Sequence, residues 1–195
     1  MNDTNDARPQ GARSRTALSD GDRPRVLSVL VENQHGVLTR VSGMLAARGF
    51  NIDSLTVSVT EDITMSRMTV AFHCDGRTIE KVRKQLAKIT EVIVIEDVTE
   101  RPHVERELVL VKVRHPRSER HDLLQIAAIF KAKSVDMTPE SVTFEIVGNA
   151  DKLFNFLTLL QEHASIVELA RSGVVALSRG PVALREGFLQ EGAGS

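Results

Sequence analysis

An internal repeat of apolar residues constrains the fold of this chain more than any other feature. Alternating apolar residues of one strand, and the apolar face of the helix after it, recur at an offset of 74 residues. The first copy of the pattern is Met68, Val70, Phe72, Ile79, Val82 and Leu86, and the second is Val142, Phe144, Ile146, Leu153, Phe156 and Leu160. Matching periods through successive elements predict two copies of one architecture.

Each half of the chain predicts the same series of elements. Strand-like alternation and helix-like spacing follow each other in the order βαββαβ, once in each half. We therefore predict an α+β protein with two ferredoxin-like βαββαβ domains in tandem. The predicted organisation is a disordered tail at 1–24, a first domain at 25–100, a linker at 101–104, a second domain at 105–180 and a flexible tail at 181–195.

Each predicted domain leaves one side of its sheet without a cover. Both helices of a βαββαβ unit lie on the same face of the antiparallel sheet, and a domain of about 75 residues has a marginal core. We therefore expect sheets of different subunits to pair, edge to edge or face to face, and the protein to form a homo-oligomer.

Composition and charge argue against several classes of partner. The 25 Lys and Arg residues balance 26 Asp and Glu residues, so no basic excess favours nucleic acid. The chain has no Trp or Tyr for base stacking, and no apolar run reaches the roughly 20 residues that span a bilayer. With a single cysteine, Cys74, and no apolar leader, the sequence predicts a cytoplasmic protein.

No residues have the spacing of a known catalytic or metal site. The sequence lacks nucleophile-elbow, zincin, phosphate-loop and dinucleotide motifs. In the stretch His73, Cys74 and Asp75, neighbouring side chains of a strand face opposite sides, so we interpret these residues as structural or exposed. We therefore predict no catalytic residue, no metal and no cofactor in this chain, which is not an enzyme on its own.

The bend between the first strand and the first helix is the most informative loop. The first N–H groups of a helix lack internal partners and favour a carboxylate. Gly36 permits close backbone approach, Asn33 both donates and accepts hydrogen bonds, and Val37 and Leu38 offer apolar contacts. The same residues also fit an ordinary turn that only starts the helix.

Five segments of the sequence together resemble a known family. They are VLSVLVENQHGVLTRV (26–41), RGFNIDSLTV (48–57), SRMT (66–69), HVEREL (103–108) and ARSGVVALSRG (170–180). The first two resemble an ACT domain, and the five in this order resemble the small regulatory subunit of acetolactate synthase (acetohydroxyacid synthase). This resemblance covers residues 25–180 and neither tail.

The resemblance implies a regulatory function. Such subunits bind a large catalytic subunit that uses thiamine diphosphate, Mg²⁺ and FAD in branched-chain amino-acid biosynthesis. They activate it and confer feedback inhibition by valine. The alternatives are a free-standing amino-acid-sensing transcriptional regulator, against which no helix-turn-helix or basic patch is visible, and an enzyme in its own right.

The family's effector-binding residues can be placed on this sequence. The resemblance assigns Asn33, Gly36, Val37 and Leu38 to the loop that holds the amino acid. It assigns Asn51 and Ile52 to the part of the site that comes from the neighbouring subunit of an ACT homodimer.

The second repeat differs at the corresponding loop. Residues 113–117 contain no glycine, and Pro116 removes a backbone donor, so we predict that the second domain does not bind valine in this way. Self-association and contact with the catalytic subunit are its expected roles. Arg171, Ser172 and Arg179 are either contact residues or a solvated strand end.

Overall fold

The computed structural model describes residues 23–181, 183 and 184 and contains two βαββαβ units in sequence. The first unit consists of β1 (Arg23–Glu32), α1 (Val37–Ala47), β2 (Ile52–Val59), β3 (Met65–Cys74), α2 (Gly76–Leu86) and β4 (Val92–Asp97). The second consists of β5 (His103–Arg114), α3 (Arg120–Phe130), β6 (Lys133–Met137), β7 (Ser141–Gly148), α4 (Ala150–His163) and β8 (Ser165–Arg171), followed by β9 (Val175–Ser178). The predicted tandem of ferredoxin-like domains is confirmed.

Each unit forms an antiparallel sheet with its helices on one face. The strand order is β2-β3-β1-β4 in the first sheet and β6-β7-β5-β8 in the second, and β9 pairs with the first part of β5. In the first sheet Glu32 pairs with Met65 at one end of β1, and Arg25 pairs with Phe72 near the other. β2 begins at the second of these ends, where Ile52 lies opposite Phe72. This alignment determines how far Ile52 lies from the loop that follows β1.

The apolar repeat forms the two cores. All twelve residues of the repeat are at most 2% exposed, and each copy packs between its sheet and its helices. The first strand and helix of the two units correspond at a larger offset of 82 residues, from Leu27 to Val109. The two offsets differ because β6 and its hairpin are shorter than β2 and its hairpin.

Two helices begin with a side-chain cap. Asp75 accepts a hydrogen bond from the Thr78 N–H (2.7 Å) at α2, and Asn149 accepts one from the Lys152 N–H (3.2 Å) at α4. Hydrogen bonds from Thr78 hold the pKa of Asp75 below its ordinary value of 3.8. These caps explain the clear helix boundaries that the sequence pattern indicates.

Strand β9 partly covers the outer face of the first sheet, which is the face without helices. Ala176 is 4% exposed and packs with Val26 and Val98, and Val174 lies against the same cluster. The expectation that this face finds its cover through pairing between subunits was incomplete, because the chain's own last strand covers part of it. β9 has only four residues, and the sequence analysis missed it.

Direct hydrogen bonds join β2 to the segment before β9. The Thr56 hydroxyl donates to the Val174 carbonyl oxygen (3.0 Å), and the Val174 N–H donates to the Ser54 hydroxyl (3.4 Å). Gly173 has a φ of 81°, and a Cβ atom on it would lie 2.8 Å from the Thr56 Cγ2. Only glycine fits this contact without displacement.

Several predicted boundaries need correction. Most of the predicted tails lie outside the described residues, but Arg23 and Pro24 belong to β1, so the tail assignment was wrong for these two residues. Strand β5 begins at His103, inside the predicted linker. No helix among the described residues is long and apolar enough to cross a membrane.

The contact at Gly173 leads to a stability prediction. Gly173→Ala should lower the free energy of unfolding by about 1–3 kcal/mol, because it combines a left-handed backbone with a steric clash. Gly43→Ala is the control, since Gly43 is helical and has nothing within 4 Å of a built Cβ. It should raise stability by roughly 0.5–1 kcal/mol. Urea denaturation measures the free energy of unfolding of both variants. A Gly173→Ala protein as stable as the wild type would contradict the close contact between Gly173 and Thr56.

Candidate functional site

The start of α1 has the geometry of an anion-binding helix end. Gly36 precedes the helix with φ 83° and ψ −6°, and no side chain of the described residues caps it. The first turn of α1 contains no acidic residue either. The Val37 N–H donates to the Gln34 carbonyl oxygen (3.4 Å), but the N–H groups of Leu38 and Thr39 have no acceptor among the described residues. These two groups can receive an acceptor from outside the chain, with the positive end of the helix dipole behind them.

Arg40 places a guanidinium group beside this bend. A Cβ atom built on Gly36 would lie 3.4 Å from the Arg40 Nη1, and the other terminal nitrogen of Arg40 pairs with Glu91. The sequence analysis missed Arg40, although its position one helical turn after Gly36 is the signal that indicates it. A ligand carboxylate at the bend would meet both the helix amides and this guanidinium.

Asn33 fixes the position of the bend. Its Nδ2 donates to the Ile63 carbonyl oxygen (2.9 Å), and its Oδ1 accepts from the hydroxyl of Ser66 (3.1 Å), which is 6% exposed. Its own N–H donates to the Thr64 carbonyl oxygen (2.7 Å). The amide thus ties the bend to the β2–β3 hairpin, and it retains one donor and one acceptor position for a ligand.

The two apolar residues after Gly36 face different surroundings. Val37 is 2% exposed and belongs to the core, so its side chain does not line a surface pocket. Leu38 is 46% exposed and is the apolar side chain that the bend offers to a ligand. Of the predicted pair, only Leu38 can form the apolar contact.

Asn51 and Ile52 lie at the other end of the sheet from the bend. Ile52 is aligned with Phe72 and Arg25, whereas the bend follows Glu32, seven positions further along β1. At about 3.3 Å per residue this separation is roughly 23 Å. One protomer therefore brings Asn33, Gly36, Val37 and Leu38 together but does not bring Asn51 and Ile52 to them.

The outer edge of β2 is open within the described chain. β2 is a terminal strand of its sheet, so its outward N–H and C=O groups have no strand beside them among the described residues. Val57 and Val59 on this strand are 40% and 53% exposed. An exposed apolar edge strand is a template for pairing with another chain.

The corresponding loop of the second unit is closed by its own side chain. His115 is 4% exposed, and its Nδ1–H donates to the Pro116 carbonyl oxygen (2.9 Å). A 3-10 helix at Arg117–Glu119 then leads into α3. The second unit therefore has a buried imidazole and no glycine bend where the first has an open helix end.

Three possible metal ligands meet at helix ends of the second unit. Ligand atoms of Glu119, Asp122 and His163 lie within 4.8 Å of one another, and His163 Nδ1 is 3.0 Å from Glu119 Oε2. The spacing search missed them because they come from two helices. The acids lie at the start of α3 and the imidazole at the end of α4, where helix dipoles favour these charges without an ion.

Arg171, Ser172 and Arg179 make contacts within the chain. Arg171 pairs with the buried Glu107 (2.9 Å), and Arg179 Nε donates to the His103 carbonyl oxygen (3.2 Å). The Ser172 hydroxyl accepts from the Leu108 N–H (3.0 Å). These contacts fasten the segment between β8 and β9 and the end of β9 to β5.

Two family models match the chain, one over each unit. The model described as "AHAS small subunit-like ACT domain" matches residues 27–94. The model described as "Small subunit of acetolactate synthase" matches residues 106–180. Together they span both repeats.

Curated proteins and a solved structure are similar over most of their length. The acetolactate synthase small subunit of Haemophilus influenzae is 44% identical over 156 residues, which cover 80% of this chain and 96% of the relative. The Escherichia coli isozyme 3 small subunit is 43% identical over 161 residues, covering 83% and 99%. The crystal structure of the Thermotoga maritima acetolactate synthase small subunit has 36% identity and a TM-score of 0.72, covering 82% of this chain and 99% of that chain.

The hydrogen bonds of Asn33 lead to a second stability prediction. Asn33→Ala should lower the free energy of unfolding by about 1–3 kcal/mol, because the nearly buried Ser66 hydroxyl and the Ile63 carbonyl lose their partner. Asn51→Ala is the control, since Asn51 is exposed and makes no side-chain hydrogen bond among the described residues. It should change stability by less than about 0.5 kcal/mol. Denaturation is measured with no valine added. If the two variants then have the same free energy of unfolding, the structural role of Asn33 is contradicted.

Proposed function

The chain belongs to the family of acetolactate synthase small subunits, and from this premise we propose that it activates the catalytic subunit and makes it sensitive to valine. The observation that carries the proposal is the uncapped start of α1 at Gly36, with Arg40 beside it. This arrangement suits the carboxylate of a free amino acid. The Asn33 amide is the neighbouring group that suits the ammonium.

Valine fits the apolar part of this arrangement. Leu38 offers an exposed aliphatic side chain next to the helix amides, so a branched aliphatic side chain would gain contact there. An apolar contact discriminates by about 1–3 kcal/mol per methylene. This difference in binding free energy is enough for the site to prefer valine over alanine. The preference for valine over leucine or isoleucine is expected to be weak.

A homodimer through β2 would complete the site. If two β2 edges pair antiparallel about a twofold axis, the start of one β2 lies beside the end of the other. Ile52 and Asn51 of one protomer would then approach the hairpin that holds the partner's bend through Asn33. This arrangement supports the assignment of Asn51 and Ile52 to one site with Asn33, Gly36 and Leu38, while Val37 supports the bend from the core.

The chemistry of acetolactate formation belongs to the catalytic subunit in this proposal. That subunit holds thiamine diphosphate, Mg²⁺ and FAD, and this chain contributes no catalytic residue, cofactor or metal. We place the complex in the cytoplasm, without nucleic-acid or membrane partners. The purified chain alone should form no acetolactate.

Inhibition follows from linkage between the two subunits. Valine binds one arrangement of the shared β2 interface more tightly than another, and the catalytic subunit responds to that arrangement. By reciprocity, the catalytic subunit must change the affinity for valine by the same factor. The hydrogen bonds from Thr56 and Ser54 to Val174 offer a route from β2 to the second unit.

Gly36 is a position that tests the effector site without removing the hydrogen bonds that Asn33 makes. Gly36→Asp places a carboxylate where the ligand carboxylate would bind, so the holoenzyme should stay activated but need at least about tenfold more valine for inhibition. Gly36→Asn is the matched control, because it has the same shape, tolerates positive φ equally and lacks the charge. Acetolactate formation at increasing valine concentrations measures both.

The outcomes separate the two parts of this proposal. A Gly36→Asp holoenzyme inhibited at the same valine concentration as the Gly36→Asn holoenzyme would contradict the placement of the effector carboxylate. A wild-type chain that neither binds nor activates the catalytic subunit would contradict the regulatory function itself.

A further inference from the structure

A groove lies where the β5–β9 ribbon stands on the outer face of the first sheet. The ribbon is formed by the pairs from His103 with Ser178 to Arg106 with Val175. The groove has a volume of about 340 Å³. Its floor includes Thr56 and Arg67, on strands β2 and β3, and its wall includes Arg106, Val175 and Leu177.

The part of the wall that β9 forms is apolar and exposed. Val175 and Leu177 are 53% and 59% exposed, whereas Ala176 between them is 4% exposed and packs on the first sheet. β9 therefore uses one side to hold the two units together and presents aliphatic side chains on the other. Adjacent exposed aliphatic side chains beside a groove are typical of a surface that binds another protein.

Two arginines of the groove have no carboxylate partner among residues 23–181, 183 and 184. Arg67 donates to the buried Ser28 hydroxyl (3.3 Å), and Arg106 donates to the Glu105 carbonyl oxygen (2.6 Å). Arginines elsewhere do form ion pairs, for example Arg25 with Asp97 and Arg171 with Glu107. The groove thus combines the aliphatic side chains of β9 with two guanidinium groups that no described carboxylate neutralises.

We infer that this groove receives a segment of the catalytic subunit that carries an aliphatic or aromatic side chain next to carboxylates. This inference rests on the proposed function and names the surface through which it acts. The apolar side chain would pack on Val175 and Leu177, and the carboxylates would pair with Arg67 and Arg106.

A second copy of this chain fits the groove less well. An isologous contact through the groove would place the arginines of one copy against those of the other, and like charges at an interface are unfavourable. The groove also uses the face of β2, through Thr56, whereas the proposed homodimer uses the hydrogen-bonding edge of β2. Both contacts can therefore exist at once, on one strand.

This position connects the docking surface to the effector site. β2 begins at Ile52 in the effector site, and its Thr56 both borders the groove and donates to Val174. A shift of β2 on valine binding would alter the groove directly. The catalytic subunit would sense valine through the floor of its own docking surface.

The test measures the affinity of the full-length chain for the catalytic subunit. Arg106→Glu and Leu177→Asp should each raise the Kd at least about tenfold, and the double variant about hundredfold. The matched controls are Arg114→Glu and Ile129→Asp, which change an exposed arginine and an exposed aliphatic residue of the second unit. The controls should bind within about twofold of wild type.

Salt dependence provides a second readout that a folding defect would not produce. Wild-type affinity should fall as NaCl increases, and this dependence should be weaker for Arg106→Glu, because a charge pair across the interface is lost. Valine binding to the variants, measured by calorimetry without the catalytic subunit, checks that the first unit remains intact.

Each outcome decides the inference. If wild type binds the catalytic subunit and the groove variants bind equally well, the groove is not the docking surface, although the proposed function stands. If the groove variants instead change the sedimentation of the isolated chain, the groove is a contact between copies and the inference fails. If wild type does not bind the catalytic subunit at all, the proposed function fails first.

Discussion

The open outer edge of β2 is the constraint on which the account depends. A four-stranded sheet with both helices on one face leaves two edges free, and β2 occupies one of them with Val57 and Val59 exposed. The same strand begins with Ile52, and its Thr56 bonds to Val174. One strand therefore carries the proposed interface edge, part of the proposed effector site and the contact to the second unit.

The left-handed bend at Gly36 is the other half of the proposed effector site, which the start of β2 of a second protomer would complete. Within the described chain no side chain caps the start of α1, the N–H groups of Leu38 and Thr39 have no acceptor, and the Arg40 guanidinium group lies beside them. Asn33 holds the bend against the β2–β3 hairpin. The second unit repeats the fold but not the bend, because His115 is buried at the matching place.

Much of the fold could be predicted from the sequence because most helices and strands have a clear period of apolar residues. Ile79, Val82 and Leu86 mark a helix face and are all buried. Strand β9 could not be predicted, since Val175 and Leu177 are apolar yet exposed while Ala176 is small and buried. In the candidate site, Gly36 and Asn33 could be identified in sequence, but Val37 belongs to the core. Arg40 could have been identified from its position one helical turn after Gly36, where the structure places its guanidinium group beside the bend.

Mixing two variants tests most directly whether the effector site is shared across the β2 edges. Gly36→Asp spoils the bend, and Asn51→Ala spoils the contribution from the partner. In a mixed dimer one site carries both changes and the other carries neither. Calorimetry should find no valine binding to either variant alone and, after re-equilibration of an equimolar mixture, roughly a quarter of the wild-type sites. A mixture that binds no valine, although both variants are folded and dimerise, would contradict a site shared between protomers.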